Sequence, residues 1–128
     1  MKLIIGGAFQ GKLAYASAAA EIAPEEFADG AACGFEVLDT CRGMNHFHEY
    51  VRRYLAEGRS VEELPERIVQ KNPEVVLVAN ELGCGIVPMD PFERQFREAF
   101  GRLCCRLAQE AKEVHRVICG LGTVIRRG

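Results

Sequence analysis

The sequence predicts an α/β fold, with a mostly parallel sheet, helices on both faces and a C-terminal hairpin. Three observations predict it. Short apolar runs recur at residues 2–5, 35–38, 75–79 and 114–119. Helix-favouring segments separate them, and alternation of strand and helix yields parallel βαβ units. The run at 75–79, Val-Val-Leu-Val-Ala, is apolar at every position, as a strand covered on both faces is. Right-handed crossovers then carry helices to both faces. The chain of 128 residues fits one domain, 1–128, large enough to bury roughly two-thirds of its unfolded surface.

Each element has a local reason. Residues 2–5 are apolar and β-branched, a first strand. Residues 12–22 are rich in Ala with Leu13 and Tyr15, which favours helix, and Pro24 follows its end. Residues 24–34 read as a connection. Residues 35–38 read as a second strand closed by Asp39. A helix is predicted over 42–57, with Met44, Phe47, Val51, Tyr54 and Leu55 near one face and Gly58 as its stop. Ser60-Val-Glu-Glu63 has the capping-box form and opens a helix that ends at Asn72-Pro73. After the central strand comes a glycine-containing loop, 80–88. Asp90 then caps a long helix, with Pro91 in its first turn and Glu93 as the reciprocal cap. Its stripe is Phe92, Phe96, Phe100, Leu103, Leu107 and Ala111. Residues 114–119 and 123–125 form the closing hairpin, turned at Gly120-Leu-Gly122.

Composition narrows the function classes. Net charge is −2, which supplies no basic excess for nucleic acid and no acidic tail. No apolar run approaches the roughly 18 residues of a membrane span. Leu3-Ile4-Ile5 is too short for a secretion signal, so the expected location is cytoplasmic. The six cysteines include no C-x-x-C pair. They are expected to be reduced, with Cys104, Cys105 and Cys119 as small core residues.

In an open parallel sheet, ligands bind beyond the carboxyl ends of the strands. Gly6, Asp39, Asn80 and Gly120 each follow a predicted strand and are expected to share one edge. Residues 6–12 match G-x-x-x-x-G-K, the phosphate-cradling P-loop pattern, between a strand and a helix. Gly6, Gly7, Ala8, Phe9, Gln10 and Gly11 would turn backbone amides toward phosphate oxygens. The helix after them points its positive end the same way, and Lys12 adds a full charge. The pattern calls next for Ser or Thr, whose hydroxyl holds Mg²⁺; here it is Leu13. Asp39 reads either as a carboxylate of the Walker-B kind or as an ordinary turn Asp. Glu81 can hold a sugar hydroxyl, a metal-bound water or a substrate amide, or it can cap loop amides. His46 and His48, with Cys41, give C-x₄-H-x-H; on a helix such residues diverge, so solvated or loop histidines are expected. His115 is expected on a solvated strand face.

The segment 76–88, V-L-V-A-N-E-L-G-C-G-I-V-P, followed by Arg94-Gln-Phe-Arg97 and Gly101-Arg-Leu103, resembles the cobinamide kinase / cobinamide-phosphate guanylyltransferase family of cobalamin biosynthesis. That family shows N-E-x-G-x-G-I-V-P, then a helix with R-x-F-R and G-R. Residues 117–122 are similar to its closing strand and hairpin, and residues 5–12 to its G-G-A-R-S-G-K-S loop. Leu38-Asp39 is similar to its L-E strand end. The resemblance implies a P-loop NTPase-like fold and binding of ATP or GTP at residues 6–13. It implies phosphorylation of the alcohol of a corrinoid substrate, then GMP transfer through a guanylylated histidine, in a homotrimer. By the same resemblance Lys12, Asp39 and Glu81 are the candidate catalytic residues.

Departures qualify what carries over. Leu13 stands where the family has the Mg²⁺-binding Ser, and Phe9-Gln10 where it has Arg-Ser. The H-H-x-x-R-P block with the histidine nucleophile has no counterpart, and neither His46 nor His48 takes that role. Three readings follow: a kinase lacking the guanylyl-transfer step, a nucleotide-binding or partner subunit without turnover, or a P-loop-derived structural protein with no ligand.

Overall fold

The computed structural model describes residues 1–8, 11–82 and 90–127. Among these residues the strands are β1 (Lys2–Gly6), β2 (Phe27–Asp29), β3 (Gly43–Asn45), β4 (Val76–Asn80), β5 (Glu113–Ile118) and β6 (Leu121–Arg127). They form one sheet in the order β2-β3-β4-β1-β5-β6. β1 pairs parallel with both β4 and β5, and β2, β3 and β4 are parallel neighbours. β6 returns antiparallel to β5. The helices are α1 (Lys12–Ala20), α2 (Phe47–Ala56), α3 (Leu64–Lys71) and α4 (Pro91–Glu110). This is the predicted α/β, P-loop-like architecture with its C-terminal hairpin.

The pleat divides the core. On one face Leu3, Val75, Leu77, Ala79 and Val114 pack with side chains of α2, α3 and α4. On the other, Ile4, Val76, Val78 and Val117 meet Ala16 of α1 and Ile22. Alternate residues of β4 thus serve opposite layers, which is why its sequence is apolar throughout. The α4 stripe is buried at Phe96, Phe100, Leu103 and Leu107. Full burial of each such side chain contributes about 1.5–3 kcal/mol.

The helix ends follow local chemistry. The Asp90 side chain accepts from the Phe92 N–H at 2.8 Å, capping α4. Gly58 closes α2 at φ 77. Its N–H bonds Leu55 O, and the Arg59 N–H bonds Tyr54 O, the paired bonds of a Schellman motif. Cys119 and Gly120 both have positive φ between paired Ile118 and Leu121, the geometry of a two-residue type I′ hairpin.

Several expectations are overturned. Residues 35–38 are not a strand: Phe35–Asp39 forms a 3₁₀ helix. It buries Leu38 and sets Phe35 edge-on to Tyr50 and Tyr54, a packing that a four-residue apolar run cannot announce. The connection at 24–34 contains the strand β2. The predicted start of the 42–57 helix is β3, and Met44 is core from a strand, fully buried. Glu93 does not cap α4; its carboxylate accepts from Arg52. Ser60 makes no side-chain cap, and Val61–Glu63 is a 3₁₀ turn before α3. The described cysteines form no disulfide, and Cys105 and Cys119 are exposed rather than core. His115 is buried rather than solvated. Its Nδ1 meets the Tyr15 hydroxyl at 2.6 Å and its Nε2 the Glu113 carboxylate at 2.7 Å.

Candidate functional site

The carboxyl edge of the sheet is where β1, β4 and β3 end together. Gly6 and Asn80 are register partners, and the Glu81 N–H donates to Gly6 O at 2.8 Å. The chain leaves β1 through the glycine loop. Phe9 and Gln10, read as loop residues, lie outside the described residues. Gly11 caps α1 at φ 76, a left-handed conformation that favours glycine. A Cβ at Gly11 would reach the Cα of Gly120 at 3.4 Å, so the hairpin turn lies against this loop as expected. At Gly6 a Cβ would meet Val117 O at 2.4 Å. Close strand packing therefore excludes a side chain there.

Lys12 opens α1 and is buried, with 9% of its surface exposed. Its Nζ donates to Gly7 O at 2.7 Å. Burial lowers its pKa, and the charge of Glu81 opposes that shift. An ammonium held over the loop beside a helix N-terminus suits a phosphate oxygen.

A cleft of about 500 Å³ lies against this loop, lined by residues that include Ala8, Gly11, Lys12, Leu13, His46 and His48. The strand β3 delivers its far wall. β3 pairs with β4 only at Gly43–Val76 and Met44–Leu77, which leaves the Asn80 N–H without a strand partner on that side. The His48 Nδ1 accepts that N–H at 3.1 Å, as a buried amide requires. His48 is therefore not a solvated histidine: it is 6% exposed. Burial first, then the charges of His46 and Lys12, lowers its pKa to about 4. It is neutral at pH 7 and adds no charge beside Lys12.

His46 joins β3 to α2 with φ 55, uncommon for a residue other than glycine. Its Nδ1 meets Asp29 Oδ1 at 3.0 Å, and the same oxygen accepts the Ala31 N–H at 3.0 Å. These bonds lower the Asp29 pKa, the His46 contact foremost.

The carboxylates singled out in the sequence are paired elsewhere. Glu81 faces Arg116 of β5 at 2.9 Å and 3.2 Å. Asp39 does not end a strand and does not line the cleft. It accepts from Arg67 Nε at 2.7 Å and from Nη2 at 3.0 Å, and that guanidinium lowers its pKa. Its predicted convergence with Gly6, Asn80 and Gly120 fails because the segment before it is helical. Among the described residues no group of three His, Cys, Asp or Glu can hold a metal. Cys41 packs against the core, where burial pushes its thiol up to about 11. A protein-held Mg²⁺ does not fit this donor set: Leu13 has no oxygen, and Glu81 and Asp39 are in ion pairs.

Sequence reasoning missed Asp29, Asn45 and Arg116. The signal available for the first two was weak: two three-residue strands, each ending in a polar residue. Among the described residues no helix is long and apolar enough to cross a membrane.

A family model described as cobinamide kinase / cobinamide phosphate guanyltransferase matches residues 40–125. That span runs from β3 through the hairpin and begins after the glycine loop. The chain is similar to the bifunctional adenosylcobalamin biosynthesis protein CobU of Salmonella typhimurium, with 40% identity over 77 residues, 57% of this chain and 42% of that protein. It is also similar to the protein of the same name from Escherichia coli K12, with 47% identity over 53 residues, 41% of this chain and 29% of that protein. The chain thus covers less than half the length of either relative.

Proposed function

The chain belongs to the cobinamide kinase / cobinamide phosphate guanyltransferase family, and on that premise we propose that it binds ATP or GTP and transfers the terminal phosphoryl group to the alcohol of a corrinoid substrate. The observation that carries this reading is Lys12, buried at the mouth of β1 with its Nζ on Gly7 O, beside the left-handed Gly11 that caps α1. Gly6, Gly7, Ala8, Phe9, Gln10, Gly11, Lys12 and Leu13 form the proposed nucleotide contact. Lys12 would move from the loop carbonyl to the outer phosphates. Glu81, beside it, limits the positive charge when no phosphate is bound. Guanylyl transfer is not part of the proposal, because the nucleophile block has no counterpart in the sequence. A soluble homo-oligomer is part of it. The outward apolar residues of the hairpin, Leu121 at 76% and Ile125 at 59% exposure, support self-association.

A second reading, nucleotide binding without turnover, is favoured by one observation: Leu13 occupies the position of the metal ligand, and both candidate carboxylates are held by arginines. Titrating ATP and GTP with and without Mg²⁺, while following melting temperature and phosphate transfer, separates the two. At about 100-fold Kd a ligand stabilises the fold by about 2.7 kcal/mol, and Lys12→Met removes that gain. Stabilisation with phosphate transfer supports the kinase. Stabilisation without transfer supports the second reading. No stabilisation by either nucleotide at millimolar concentration refutes both.

A further inference from the structure

One cluster in the cleft is unused by the phosphate cradle. β2 and β3 run side by side with Asp29 opposite Asn45, so the residue after β3 meets the carboxylate that ends β2. Asp29 Oδ1 lies 3.0 Å from His46 Nδ1. An ionised carboxylate only accepts hydrogen bonds, so Nδ1 carries a hydrogen, and in the neutral imidazole the lone pair is the one on Nε2. That Nε2 has no hydrogen-bond partner among the described residues. The backbone around it is constrained. His46 sits at φ 55, and Gly30 packs so closely that a Cβ there would meet His46 O at 2.4 Å. Arg53 further ties the segment by donating to Gly30 O at 2.9 Å. Strained backbone of this kind clusters at functional sites. His46 lines the same cleft as Gly11 and Lys12. Glu81 and Asp39 already have guanidinium partners, and His48 uses its Nδ1 on Asn80. The remaining carboxylate in the cleft is Glu49.

We propose that His46, oriented by Asp29, is the general base that takes the proton of the acceptor alcohol during phosphoryl transfer. This rests on the kinase reading given above. The alcohol oxygen attacks the γ-phosphorus and its proton passes to His46 Nε2. The new O–P bond forms as the bond from phosphorus to the β–γ bridging oxygen breaks. The nucleoside diphosphate leaves with that electron pair. The imidazolium, its charge balanced by Asp29, then releases the proton to solvent. Asp29 is a positioning residue.

The test uses the full chain, cobinamide, and γ-labelled GTP and ATP. His46→Asn suits the left-handed backbone and can still donate to Asp29, but it cannot act as a base. It should lower kcat by about 10²–10⁴-fold with nucleotide KM and the nucleotide-induced melting shift unchanged. His46→Gly should regain at least about tenfold of its lost rate with added imidazole, which leaves the parent unaffected. Asp29→Asn should lower kcat without changing KM, and Asp29→Glu should recover part of it. Glu49→Gln should stay within about threefold of the parent. The proposal is overturned by a His46→Asn rate within about threefold of the parent, by no imidazole rescue, by a collapse in Glu49→Gln instead, or by mass spectrometry finding a phosphoryl or guanylyl group on His46. If the parent binds nucleotide and phosphorylates no cobinamide, the kinase reading itself falls and this proposal with it. If the parent turns over and His46→Asn does too, only this proposal falls.

Discussion

Acidification should destabilise this protein through His48, well before most carboxylates protonate. The imidazole is 6% exposed and its Nδ1 lone pair accepts the Asn80 N–H. Its pKa is lowered from 6.5 to about 4, chiefly by burial. A folded-state pKa below the unfolded one means that unfolded chains take up the proton first. The stabilisation is complete above pH 6.5 and is lost as pH falls toward 4. The full shift corresponds to about 3 kcal/mol, of which about 2 kcal/mol is lost by pH 5. Asp29 and Asp39, whose pKa values are lowered, lose their contributions at lower pH, and the Met1 amine, also lowered by burial, titrates alike in parent and variant, so the difference between the two proteins isolates the histidine effect. His46, Lys12 and Glu49 surround His48, and the first two disfavour its charge. The assay is urea unfolding at pH 7.5 and 5.0 for the parent and for His48→Asn. The asparagine keeps an acceptor near Nδ1 and does not titrate. The parent should lose about 2 kcal/mol over this interval, and the variant should lose less by that amount. Equal losses in the two proteins would refute the argument that burial holds His48 neutral.

Two further outcomes test the candidate site. Asp39→Asn should cost about 1–2 kcal/mol of stability, because it removes the charge from a two-point Arg67 bond that is three-quarters buried. Its nucleotide affinity, read by calorimetry, should match the parent's, since Asp39 does not line the cleft; a loss of affinity would return it to the site. Leu13→Ser places a hydroxyl in the cleft wall at the position where the P-loop pattern holds Mg²⁺. It should raise Mg²⁺-dependent nucleotide hydrolysis in a phosphate-release assay. An unchanged rate would show that more than this hydroxyl separates the chain from the family pattern.

What the sequence determined by itself was whatever is encoded over a few consecutive residues. The first strand and the alanine-rich helix that flank the glycine motif, the all-apolar run of β4, the Asp90-Pro91 start of α4 and its stripe are all local patterns, and each stands where it was read. The family loop after β4 was also legible, because its spacing is a contiguous string. Only the tertiary structure decided the rest. β2 and β3 are three residues long, too short for a period to show, and they exist because neighbouring strands complete their hydrogen bonds. The 3₁₀ turn at Phe35–Asp39 replaces an expected strand because Phe35 and Leu38 find their contacts in α2 and the core. Charge partners are equally non-local. Glu81 and Arg116 are 35 residues apart, Asp39 and Arg67 28 apart, and Arg52 and Glu93 41 apart. No residue's identity names the partner that a parallel sheet will bring to it. The chemistry of the cleft therefore had two origins. Lys12 was visible as a motif. Asp29, His46 and His48 gained their setting only when two short strands ended side by side, one lending a carboxylate and the other a strained turn that places one histidine against it and buries the next.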